Sequence, residues 1–133
     1  MADRYFVWHI NRMEGSGTNQ GPAYVLDRDY ALPGKVRLYA RNAPGYSSLR
    51  VDIKADGVSL FEAAVGNYPS SVPSIQKGRN IEEEWDSFKD SLRRIDRYAV
   101  LTCDVLDSGG AGDITVTLEL DAAESEGAYQ RSS

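Results

Sequence analysis

The chain has 133 residues, of which 41% are hydrophobic and 26% charged, with one cysteine and a net charge of −5. That length suffices for one domain with its own core, while the lone Cys103 excludes an internal disulfide and leaves no thiol cluster for zinc. The acidic balance argues against general nucleic-acid binding, and no apolar run approaches the roughly 20 residues of a membrane span.

The opening residues place Asp3 beside Arg4 with only a short aromatic run after them, which lacks the layout of a secretory signal, so a soluble, cytosolic chain is expected. Tyr5 to Ile10 is aromatic and β-branched and suits a first strand buried on both faces or lying in an interface. Glu14 to Pro22 is crowded with Gly, Ser and Asn and reads as a loop. Tyr24-Val-Leu26 reads as a short strand and Asp27 to Gly34, with Pro33, as a turn. Lys35 to Arg41 then alternates, with Val36, Leu38 and Ala40 inward and Lys35, Arg37, Tyr39 and Arg41 outward, as in a half-buried strand. Asn42 to Ser48 is a loop.

Leu49 to Leu60 carries the firmest local signal, a β-hairpin closed by Asp56-Gly57. A type I′ turn needs positive φ at both central residues, which Gly adopts freely and Asp tolerates. The register follows: Ala55 faces Val58, Ile53 faces Leu60, and Lys54 and Ser59 share the opposite side. Gly66 to Ser74, with Pro69 and Pro73, is an extended connection. Ile81, Trp85, Phe88, Leu92 and Ile95 are spaced as a helical stripe, and Glu82 to Glu84 at its start suit a helix dipole, so a short helix is predicted over Ile81 to Lys89. Tyr98 to Val105 is a strand with Ala99, Leu101, Cys103 and Val105 on one face. Ser108 to Asp113 reads as a glycine-rich hairpin loop, and Ile114 to Leu120 as a last strand with one core face and one wet face. The reading is all-β: a jelly-roll-like antiparallel β-sandwich with one short helix, formed by residues 1–120, and an acidic mobile tail over 121–133.

Residues that carry chemistry are sparse. His9 is the only histidine and sits between Trp8 and Ile10, which favours a packed structural role. Cys103 falls on an inward strand face, where a thiol acts as a small apolar group. The carboxylates of Asp104 to Asp113 miss the spacing of a calcium loop, and Gly15 to Gly21 misses that of a phosphate loop. The pair Glu83 and Asp86 reads as a solvated helix face. No catalytic residue, cofactor or metal ligand is predicted. Tyr24, Tyr30, Tyr46 and Tyr68 lie beside loops and are the candidate interface or glycan contacts, because rigid amphipathic rings suit both surfaces. Charge is also lopsided: residues 1–54 sum to +3 and the rest to −8, which fits a solvated surface with no partner first and head-to-tail packing of identical subunits second.

Taken in order, Trp8-His-Ile10, Tyr24-Val-Leu-Asp27, Asp29-Tyr30, Val36-Arg-Leu-Tyr-Ala40, Ala43-Pro44, Leu49-Arg-Val-Asp-Ile53, Asp56-Gly-Val-Ser-Leu-Phe61 and Asp113-Ile-Thr-Val-Thr-Leu-Glu-Leu120 resemble small β-sandwich proteins from tailed bacteriophage genomes. The resemblance spans most of the chain, rests on strand and turn motifs, and carries over no functional residue. It implies a non-enzymatic virion component made in the host cytoplasm: a capsid decoration protein, head fibre or minor tail protein. The expected partners are other copies of itself, as a trimer, and a phage capsid or tail protein, with neither nucleic acid nor membrane. The alternative is a carbohydrate-binding module that uses exposed Tyr and Trp.

Overall fold

The computed structural model describes residues 4–12, 17, 20–61, 72–85, 88–89 and 92–123. Among the described residues, ten strands form two five-stranded sheets in which every pairing is antiparallel. The first sheet contains β1 (Arg4–Arg12), β10 (Gly112–Ala122), β3 (Tyr30–Asn42) and β7 (Ile81–Trp85) in that spatial order, with β8 (Arg94–Ile95) also pairing β3. The second contains β2 (Tyr24–Val25), β9 (Val100–Asp107), β4 (Leu49–Ala55) and β5 (Val58–Ser59), with β6 (Ser74–Ile75) also pairing β4. The molecule is thus an all-β sandwich, and no helix occurs among the described residues.

Alternation builds the core. In β3, Val36, Leu38 and Ala40 are buried while Lys35, Arg37, Tyr39 and Arg41 are exposed, as expected. In β10, Ile114, Val116, Leu118 and Leu120 point inward against Phe6, Trp8 and Ile10 of β1 and the inner residues Val51, Ile53, Leu101 and Cys103 of the other sheet. Burying each large aliphatic side chain contributes about 1.5–3 kcal/mol, and this continuous apolar layer needs neither metal nor disulfide. The Asp56-Gly57 hairpin forms in the expected register, with φ of 51° and 81° at its two central residues. Asp56 does more than turn the chain: its amide donates to Val100 O (2.9 Å) and its carboxylate accepts from Val100 N (3.0 Å), which pins the hairpin tip to the start of β9.

Several expectations are corrected. The helix over Ile81 to Lys89 is absent; Ile81–Trp85 is the strand β7 on the outer edge of β3, and Phe88 bridges to Phe61. The stripe residues share no single face, since Ile81 is 51% exposed whereas Phe88 and Ile95 are buried. Pairing with the unsatisfied edge of β3 outweighed the helical spacing, and Asn80 secures the entry by donating its side-chain amide to Ala40 O (2.8 Å) and Arg41 O (3.1 Å). β1 is buried on one face only, with Tyr5 and His9 exposed. Pro33 lies inside β3 instead of a turn, at a place where the ladder is interrupted: Ala31 pairs Asp121 and Lys35 pairs Glu119, so Leu32, Pro33 and Gly34 stand opposite Leu120 alone. A proline is tolerated at such a bulge because no ladder bond needs its missing N–H. The Ser108–Ala111 turn is no hairpin loop; it carries the chain from β9 in one sheet to β10 in the other. At the C-terminal end β10 runs on to Ala122, and residues 124–133 of the predicted tail lie outside the described residues.

Candidate functional site

The four nominated tyrosines are not brought together. Tyr24 packs between Phe6 and Trp8, with ring centroids 5.3 and 5.4 Å away, and its hydroxyl donates to Val7 O at 2.6 Å. Tyr30 is buried, edge-on to Phe6 at 5.7 Å, and donates to Asp27 Oδ1 at 2.7 Å. Both rings therefore belong to the seam between the sheets, which Trp8 extends by donating Nε1 to Pro22 O (2.7 Å). Tyr68 lies outside the described residues. Of the three that are described, Tyr46 alone is free of the core, at 86% exposed. It sits where three loops meet: Gly45 N and Tyr46 N both donate to Gly109 O, and Gly78 N donates to Pro44 O. Its ring lies over Gly110, where a Cβ would approach Tyr46 Cδ2 to 2.6 Å at a φ of +87°, so glycine is required there.

The broader surface is the outward face of the first sheet, whose register stacks side chains into rows across the strands. One row is Tyr5, Glu119 and Lys35; the next is Val7, Thr117 and Arg37; the third is His9, Thr115, Tyr39 and Ile81. His9 is thus exposed, contrary to the packed role expected of it, and its Nδ1 is hydrogen-bonded with Thr115 Oγ1 at 3.1 Å. Arg37 Nε lies 2.8 Å from Glu119 Oε2, a charge contact that is not aligned as a hydrogen bond. Tyr5, Tyr39 and Ile81 are the exposed large side chains of this face, and none of them is among the contacts nominated from the sequence. The signal for Tyr5 was available: if Phe6, Trp8 and Ile10 point inward, Tyr5 points out.

The outward face of the second sheet is chemically different. Asp52 and Asp104 stand directly opposite one another there, and both are buried, Asp52 to 1% exposure. Ser59 Oγ donates to Asp52 Oδ1 (2.6 Å), and Lys54 Nζ lies 2.9 Å from Asp104 Oδ2. Burial raises the Asp52 carboxyl above its ordinary range against the opposing pull of the Ser59 bond and Lys54, while the bond to Asp104 raises the Lys54 ammonium. Cys103, on the inner face between them, is buried, and burial pushes its thiol up, as expected of a packed side chain. Among the described residues no group of three or more His, Cys, Asp or Glu side chains is placed to hold a metal ion.

The geometry defines an all-β sandwich whose exposed tyrosines, among the described residues, lie on one sheet face (Tyr5 and Tyr39) and in two separate loops (Tyr46 and Tyr98). No protein family, curated protein or solved structure matches this chain.

Proposed function

We propose that this chain is a bacteriophage virion structural protein, a capsid decoration or head/tail accessory protein that acts by self-association and lattice binding rather than by catalysis. The strand order supports the finer reading of the fold as a jelly roll: β1-β10-β3 with β7 and β8 sharing one edge faces β2-β9-β4 with β5 and β6 sharing the other, the eight-position pattern of that architecture. The observation that carries the self-association is the charge of the two edges of the first sheet. Among the described side chains, β1 carries exposed Arg4 and no acidic residue, while β7 carries Glu82 and exposed Glu83 and no basic one. One copy's β1 edge is therefore complementary to the next copy's β7 edge. A head-to-tail contact of this kind makes a ring when the rotation between copies closes, and a closed trimer is the assembly proposed.

The virion placement rests on the resemblance of the strand and turn motifs, and it is tested in particles. Quantitative mass spectrometry of purified virions from the host that carries the gene should find the protein at a copy number set by the capsid or tail symmetry. Its absence from particles that carry all their other structural proteins would overturn the reading.

A further inference from the structure

We propose that the groove beside the β3 bulge binds a neutral saccharide ring. The bulge makes the groove: three residues of β3 face one residue of β10, and the backbone dips at Gly34. A Cβ on Gly34 would stand 2.4 Å from Glu119 O and 2.7 Å from Leu120 Cδ2, so no other residue allows that dip without moving β10. The resulting volume is about 430 Å³, within the range of about 300–1,000 Å³ typical of small-molecule sites. Bulges recur next to binding sites because they re-aim side chains in this way.

The lining specifies the ligand chemistry. Tyr5, 52% exposed, stands across from Glu119 and supplies an aromatic ring of the kind that stacks on the C–H face of a pyranose, with exposed Pro33 also in the lining. Glu119, 9% exposed, lies in the wall, and its Oε2 has no aligned hydrogen bond. Arg37 touches that carboxylate through Nε, which leaves both terminal nitrogens of the guanidinium as donors toward a ligand. Asp121 adds an exposed acceptor. Two cations, Lys35 and Arg37, balance two carboxylates, so the groove has no net charge to attract an ion. It presents donors and acceptors side by side next to an aromatic plane, the complement of a neutral ring of hydroxyls. The groove is built from side chains on the outward face of the sheet, Tyr5 of β1 among them, whereas the assembly reading rests on the charge of the β1 and β7 edges, so the two are tested by different measurements.

The test is an NMR titration of the full chain with methyl glycosides of glucose, galactose and mannose, run beside an array of neutral oligosaccharides and a glucuronate control. The free glycosides report the ring alone, and the array reports the same ring at the end of a longer glycan. The expected result is saturable shifts at Tyr5, Gly34 and Asp121 with a neutral sugar, weakened about tenfold in Tyr5→Ala and retained in Tyr5→Phe. Silence across both neutral sets overturns the proposal, as does binding of glucuronate only, binding indifferent to Tyr5→Ala, or shifts confined to the Tyr46 loops. Since this readout needs neither particles nor an oligomer, its failure is distinguishable from failure of the virion reading.

Discussion

The two outward faces of the sandwich obey the same two-residue alternation and end in opposite states. On the first sheet, the outward positions of β3 and β10 are exposed or half-exposed, with Glu119 the one buried exception beside the bulge. On the second, the outward pair Asp52 and Asp104 is buried and is held by Ser59 and Lys54. Strand periodicity therefore states which side of a sheet a residue occupies, whereas what lies above that side decides whether it is wet. The first face presents its side chains to solvent; the second spends its polar groups on one another.

The largest effect expected separates inside from outside on one strand. Leu118→Asp should abolish soluble folding, because it puts a carboxylate into a layer with no partner for it, whereas Thr117→Asp, one residue along and half-exposed, should fold with a change within about 1 kcal/mol. Soluble yield and urea unfolding of the two variants check this. Next, removing a cation should distinguish the two faces. Lys54→Ala removes the ammonium that lies against buried Asp104, directly opposite Asp52, and should cost about 1–3 kcal/mol, allowing for the partial exposure of Lys54. Arg37→Ala, which removes a mostly exposed guanidinium, should cost no more than about 1 kcal/mol.

Titration sharpens the comparison further, since two aspartates should respond to pH with opposite sign. Burial raises the folded pKa of Asp52 above the ordinary 3.8, so its favourable contribution is full below that value and is lost as pH rises through the folded pKa. Asp52→Asn should therefore raise the melting temperature at pH 7 and do little below about pH 4. Asp29 is lowered, chiefly by the Arg97 backbone N–H (2.7 Å) and then by Arg94, so its contribution is present above 3.8 and fades as pH falls through its folded value. Asp29→Asn should lower the melting temperature at pH 7 and flatten the acid limb. Thermal melts from pH 3 to 8 read both.

Much of the fold was legible because its signals are local. The alternation of Lys35 to Arg41 and Ile114 to Leu120, and the φ demands of Asp56-Gly57, are properties of a few adjacent residues, and each holds in the structure apart from Glu119, a wet-face position that is buried beside the bulge. The helix was misread because the spacing of Ile81, Trp85 and Phe88 carries no information about the open edge of β3 forty residues earlier, which claimed that backbone. The tyrosines were misplaced for a related reason. Lying beside a loop says nothing about ring direction, and the Val7 carbonyl and the Asp27 carboxylate that draw in Tyr24 and Tyr30 are tertiary partners or turn acceptors. The groove was invisible because it arises from a mismatch in length between β3 and β10.

The smallest expected change in stability belongs to the variant that reads the central claim, that the first sheet is the assembling part of the molecule. Glu83→Lys alters an exposed side chain on β7 and should leave the unfolding curve within about 0.5 kcal/mol of the parent. The decisive measurement is light scattering coupled to size exclusion at low and high salt, on the parent chain and this variant. The account predicts a parent oligomer, a trimer of the 14.7 kDa chain, that dissociates in high salt and is weakened by Glu83→Lys. A parent chain that remains a 14.7 kDa monomer at low salt and high concentration would contradict it.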